Sequence, residues 1–283
     1  MSVLAPTAER ATRPYEPVSS PPMALRAVVR RGLRDHRRAP FTWGLPLGAM
    51  CGLIVAMYPS IEDSLDELMD NYPEGLKAAF GIEELNSVEA YLDAEMFSLI
   101  VPLAVAFFAV RSIARAVSVA EERGYLDTTL AAPLSRRALV AGSFAATAVA
   151  TAAVLSVVFG LTVLVGAATG TGISVPDVAA GVAGVWPLAM FFAGVAMLVA
   201  GFAHRSATVT AVSAGTLVGM YVIDLVGKLA EPAEPFRVLT AFKYYGSALT
   251  EGLDPAAFAG LAVCGAILAL AGALLFERRD VRA

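Results

Sequence analysis

Apolar and polar positions fall along this chain in long blocks. Apolar runs close to the about 20 residues that a helix needs to cross a bilayer are separated by shorter stretches rich in charge, proline or glycine. Taken in order, the runs predict six spans, at residues 41–58, 96–113, 142–168, 178–203, 207–226 and 255–276. The expected fold is an all-α polytopic membrane protein with six transmembrane helices.

The segments between the runs refine this. Residues 1–22 carry Pro6, Pro14, Pro17, Pro21 and Pro22 among small polar residues and predict a disordered tail. In residues 23–40, Leu25, Val28, Val29 and Leu33 recur at helical spacing, surrounded by Arg26, Arg30, Arg31, Arg34, Arg37 and Arg38. That pattern predicts a basic amphipathic helix lying on an anionic membrane surface, and it also anchors the next span. Residues 41–283 form one transmembrane domain. In the first span, expected to close at Pro59, Gly44, Gly48 and Gly52 sit four apart, a stripe that lets helix backbones approach. Gly215 and Gly219 repeat that spacing in the fifth.

Residues 60–95 are strongly acidic, with Lys77 as the single base. Ile61, Leu65, Leu68 and Tyr72 keep helical spacing there, and Asn86 with Glu89 has capping-box spacing for the helix entering the second span. The stretch reads as a solvated outer loop, with a cation-attracting vestibule as the sharper alternative. Arg111 and Arg115 end the second span, placed to snorkel to headgroups, and the helix can continue through Val119. A turn at residues 169–177, with Gly170, Gly172 and Pro176, leads to the fourth span. His204, Arg205 and Ser206 make the tight joint to the fifth, with His204 read as a headgroup-level polar residue. Asp224 lies near the outer end of the fifth span with Lys228 four residues on, an order that suits a local ion pair. Pro232 and Pro235 break the helix beyond it, and Tyr244 and Tyr245 suit the headgroup belt.

Composition agrees with this picture. Of 283 residues, 57% are hydrophobic and 16% charged, against about 45–50% and about 25% in soluble domains; mean hydropathy is +0.67. The net charge of −4 says little, because charges segregate by side. Arginines crowd the segment before the first span, the joints after spans two and four, and the chain end. The opposite joints hold only Lys77, Lys228, Arg237 and Lys243. By the positive-inside rule both termini are expected in the cytosol. Cys51 and Cys264 lie inside apolar runs and read as small core residues. No cleavable leader is expected, since the first apolar run starts near residue 41.

Chemistry is sparse. The sequence has no G-x-x-x-x-G-K-[ST] phosphate loop, no H-E-x-x-H and no G-x-S-x-G. Two histidines and no paired intramembrane acids leave an intramembrane hydrolase or metal enzyme little to work with, so neither a catalytic nor a metal site is expected. Asp224 alone stands near membrane depth, where an ion-coupled carrier needs its ionisable groups. A nucleic-acid partner is not expected.

The polar stretch at residues 121–137, EERGYLDTTLAAPLSRR, interrupts the apolar chain after the second span. Gly124 can break the helix descending from the membrane, Asp127 or Thr128 can cap a short helix over 129–132, and Pro133 ends it. Leu126, Leu130 and Leu134 make a ridge at spacing four, with Glu121, Glu122, Arg123 and Arg136 as a charged rim. A plain interfacial loop is the simpler reading.

This stretch, with six spans and the basic surface helix, resembles the ABC-2 type permeases, the membrane subunits of one class of ATP-binding cassette exporters. The likeness rests on Glu121, Glu122, Gly124, Leu126, Asp127, Leu130, Pro133, Leu134, Ser135 and Arg136, and departs at Tyr125 and Thr129. Phe276, Arg278, Arg279 and Asp280 near the chain end are similar to how such permeases finish. The resemblance implies that residues 121–137 form a coupling helix contacting separate ATPase subunits, which would bind ATP and Mg, and that the basic helix is an elbow. It implies a non-enzymatic permease subunit of a multidrug-type exporter in a bacterial inner membrane, in contact with lipids and paired with a second copy or a similar permease. The first and fifth spans are expected at that pairing, and the solute is expected to be a hydrophobic drug, an antibiotic or a lipid. An anchoring protein without transport and an ion-coupled carrier are the alternatives.

Overall fold

A computed structural model describes residues 21–71, 87–116, 136–203 and 205–277. Every regular element among the described residues is helical. Helix α1 (Pro21–Asp35) is amphipathic, as its spacing predicts. Its apolar side does not simply face lipid: Val28 sits against Gly142, and Gly32 against Ala146. Arg26, Arg30, Arg31 and Arg34 stay exposed.

A π-helical turn (Pro40–Gly44) opens the first span, and α2 (Leu45–Asn71) continues it. The apolar part ends at Ile61. Pro59 does not close the helix. It sits inside α2 with an exposed ring, so the helix forgoes one backbone hydrogen bond and runs on into the acidic segment.

The second span departs most from expectation. It begins at α3 (Val88–Leu92), passes through a π-helical turn (Asp93–Phe97), breaks, and resumes as α4 (Ile100–Ala114). The two halves are bent by 42°. Pro102 supplies the reason: it has no N–H to give the carbonyl of Ser98, and its ring would collide with that carbonyl in a straight helix. The predicted cap is also displaced. Ser87 caps α3, its hydroxyl accepting from the Ala90 N–H at 3.2 Å. Asn86 lies outside the described residues, and Glu89 is engaged elsewhere, as described below.

Helix α5 (Arg136–Thr169) is the third span, extending beyond the predicted 142–168 at both ends. Gly170 and Gly172, at φ 70° and 68°, make the turn after it in a backbone region that suits glycine. Helix α6 (Val175–Ala200) then starts inside the predicted loop, because proline fits a first helical turn and Pro176 occupies it. It ends at Ala200, short of the predicted 203. Helix α7 (Ser206–Leu229) is the fifth span. A 3-10 segment (Glu231–Leu239) and a short α8 (Ala241–Tyr245) lead to α9 (Pro255–Glu277), the sixth, which matches its predicted bounds closely. Among the described residues five helices are long and apolar enough to cross a membrane, and the bent pair makes a sixth crossing if counted as one span. His204 lies outside the described residues.

Helix α6 is the hub. It packs on α4, α5, α7 and α9, and 72% of its apolar window is buried, against 22–39% for the other four long spans. Two glycine seams set the packing. Gly44, Gly48 and Gly52 face Val154, Val157, Leu161 and Val165, so α2 and α5 run in parallel at close approach. Gly194 on α6 and Gly201 just past its end meet Gly265 and Gly272 on α9, backbone against backbone. This second seam repeats every seven residues, and a search at spacing four passes over it. The first stripe, expected at the pairing with a second copy, is thus consumed inside the chain. Gly215 and Gly219, by contrast, have no neighbour within 4 Å of a Cβ built on them.

Candidate functional site

Residues that bear on function gather at the two ends of the bundle. At the end carrying α1, a cavity of about 390 Å³ lies among the turn after α1, the start of the first span, the end of α4 and the start of α5. Arg38, Arg111 and Arg115 line it, with Asp35, His36, Trp43 and Phe108. His36 Nδ1 lies 2.7 Å from the Gly32 carbonyl, and its ring stands edge-on to Phe108 at 5.9 Å between centroids. Trp43 tilts against Phe107 and Phe108. Arg37 and Arg38 are exposed on the turn that ends α1.

The stretch read as a coupling helix follows directly after α4 and its π-helical extension. Glu121, Glu122, Arg123, Gly124, Leu126, Asp127, Leu130, Pro133, Leu134 and Ser135 lie outside the described residues, as does Val119. Arg136 is the first residue of α5.

At the opposite end there are three polar ties, two of which fold the segment between the fifth and sixth spans back on the bundle. Arg237 Nε donates to Asp224 Oδ1 at 3.0 Å, and Lys228 Nζ lies 3.3 Å from the other carboxylate oxygen. Asp224 is buried, as its place near the end of an apolar helix requires it to be paired. The i,i+4 pair with Lys228 is as expected; Arg237 is the partner that local spacing does not show. Second, Tyr245 donates its hydroxyl to the Phe97 carbonyl at 3.1 Å. That carbonyl faces the break in the second span, and the tie ends α8 against the bend. Burial, and then the carboxylate of Asp93, push the Tyr245 phenol well above its usual value near 10. Third, Glu89 Oε1 accepts from the Ser174 N–H at 2.6 Å, joining the start of the second span to the turn before α6.

Other residues singled out from sequence are placed plainly. Cys51 and Cys264 are free thiols; Cys51 is buried, but Cys264 is exposed on the outside of α9, so it is not a core residue. Tyr244 is exposed and donates to the Val238 carbonyl at 3.2 Å. Among the described residues no three His, Cys, Asp or Glu side chains gather to hold a metal ion. Helix α7 keeps most of its surface outward, with Val212, Val218, Val222, Ile223 and Val226 exposed beside Gly215 and Gly219.

Two comparisons with known proteins bear on these features. No curated protein matches the chain. The family model described as "Multidrug efflux system permease Rv1217c, C-terminal domain" matches residues 25–277, from the first apolar residues of α1 to the end of α9. The match takes in the basic helix, all the long spans, the bend and the stretch between the second and third spans. The chain belongs to that family, and it is a multi-pass membrane permease.

Proposed function

We propose that the chain is the membrane subunit of an ATP-driven exporter of hydrophobic compounds, with separate ATPase subunits docked on residues 121–137. The observation that carries this reading is the family match across residues 25–277, together with a chain that has no phosphate-binding loop of its own. A permease that lacks the loop needs ATP and Mg bound on another chain. The polar stretch with its Leu126, Leu130 and Leu134 ridge stands between two spans and gives such a chain a place to push.

The mechanics follow from the fold. Helix α4 runs from the Pro102 bend to the start of residues 117–135, so a push on that stretch is delivered along α4 to the bend. The positive-inside asymmetry supports a cytosolic place for this end, in a reading that has the chain in a bacterial inner membrane. A single six-span unit is half of a usual pathway, and the second half is a second copy or a similar permease. With Gly44, Gly48 and Gly52 spent on α5, the open stripe of α7 is the remaining close-packing face for that pairing. An open, mostly apolar groove of about 530 Å³, lined by Phe191, Val238, Leu239 and Leu261 among others, lies between the folded-back segment and the sixth span and suits a hydrophobic solute.

The test is reconstitution with the partner ATPase in liposomes. Hydrophobic drugs should stimulate ATP hydrolysis and leave the cytosolic-side compartment in an ATP-dependent way. ATP hydrolysis and solute movement both unaffected by adding this chain would reject the reading in favour of an anchoring protein. The ion-coupled alternative is disfavoured by the double pairing of Asp224, which occupies the carboxylate such a carrier would need free.

A further inference from the structure

The cavity at the α1 end has a composition that the transport reading does not use. Three arginines line it from two separate segments: Arg38 from the turn after α1, Arg111 and Arg115 from the end of the second span. The salt bridges of the described residues, Asp224 with Lys228 and with Arg237, lie at the other end of the bundle. Among the described residues Asp35 is the one carboxylate on the cavity wall, against three arginines. Like charges gathered around a half-open cavity attract anions to it.

The kind of anion follows from the donors and the depth. A guanidinium presents a planar fork of N–H groups that fits a phosphate with two bonds at once. The cavity stands where the apolar part of the second span ends and the amphipathic helix begins, which is headgroup depth. Part of its lining is apolar: Trp43 and Phe108 stand there beside the arginines. A volume of about 390 Å³ is of the size of small-molecule sites, about 300–1,000 Å³.

We propose that this cavity is a specific site for the phosphate head group of an anionic phospholipid, held by Arg38, Arg111 and Arg115. It differs from the diffuse attraction of α1 for a charged surface, because the arginines that form it are not those on the outer face of α1. An occupied site joins the end of α1 to the end of α4 and to the start of α5 through Ser143 and Ala146. The proposal stands whether or not the chain is an exporter.

The chain has two tryptophans, so Trp186→Phe leaves Trp43 as the sole reporter inside the cavity. Delipidated protein in neutral detergent is titrated with short-chain phosphatidylglycerol, short-chain phosphatidylcholine and inorganic phosphate. Phosphatidylglycerol should change Trp43 emission saturably, at about tenfold lower concentration than phosphatidylcholine. Arg38→Gln, Arg111→Gln and Arg115→Gln should each weaken it roughly fivefold, whereas Arg30→Gln with Arg31→Gln, outside the cavity, should change it less than about twofold. Native mass spectrometry of the wild-type chain, and of Arg38→Lys with Arg111→Lys and Arg115→Lys, gives a second reading that does not depend on Trp186. Retained phosphatidylglycerol should fall in the lysine variant, which keeps charge but loses the fork. Equal responses to the two lipids, equal losses in the α1 control, or saturation by inorganic phosphate alone would each overturn the proposal.

Discussion

Arg237 reaches back from the segment beyond the fifth span to hold the buried carboxylate of Asp224, Nε to Oδ1 at 3.0 Å. Gly227 makes the crossing possible: a Cβ there would collide with the arginine stem. The pair is a clasp between two elements. It predicts that Asp224→Asn and Arg237→Ala each destabilise the fold by about 1–3 kcal/mol, below the full figure for a buried pair because the Arg237 side chain is 24% exposed. The double variant should cost less than the sum, read by denaturant or thermal unfolding in detergent. Asp224→Asn should retain transport. A folded Asp224→Asn protein with no transport at all would support ion coupling instead.

The Tyr245 hydroxyl satisfies a backbone carbonyl at the bend of the second span. Tyr245→Phe leaves that carbonyl without its donor, and a loss of about 1 kcal/mol is expected. The pH dependence has a definite sign. The folded phenol titrates above its unfolded value near 10, so the bond's contribution is complete below that pH and declines as pH rises beyond it. Unfolding measured from pH 8 to pH 11 should show the wild type losing stability at the top of that range more steeply than Tyr245→Phe. Parallel curves for the two proteins would contradict the assignment.

The glycine stripes separate by what they touch. Gly48→Leu and Gly265→Leu drive a side chain into a neighbouring helix and should destabilise the fold by about 1–3 kcal/mol or more. Gly215→Leu and Gly219→Leu enter open space, so the melting temperature of the monomer should hold. Their effect should appear in oligomeric state, as a shift from dimer to monomer by light scattering at constant protein concentration. A dimer unchanged by both would remove α7 from the pairing face.

These contrasts show where sequence is informative. The all-helical, multi-pass character was legible because hydrophobic runs of the right length leave helices as the way to satisfy the backbone in lipid. Span ends were less so: Pro59 reads as a stop but is tolerated inside α2, and Pro176 reads as loop but begins α6. The bend carried its own signal in Pro102, four residues after Ser98, hidden by the evenness of the apolar run. The ties at the far end were not legible. Glu89 with Ser174, Tyr245 with Phe97 and Arg237 with Asp224 join residues far apart or across a turn, and only packing decides such partners. The Asp224–Lys228 pair was legible because it is local. Spacing four found the glycines of α2 but assigned them to the wrong neighbour, since a small-residue face does not name what covers it.

Everything proposed for transport depends on residues 121–137 coupling this permease to a separate ATPase. Leu126→Asp with Leu130→Asp places two charges on the ridge and touches none of the described packing. Affinity purification of the tagged permease with its co-expressed ATPase reads the contact directly. The double variant should be membrane-inserted and stable, yet retain less than about a tenth of the ATPase held by the wild type, a loss of about 1.4 kcal/mol or more in binding. Full retention of the ATPase by the variant would contradict that coupling.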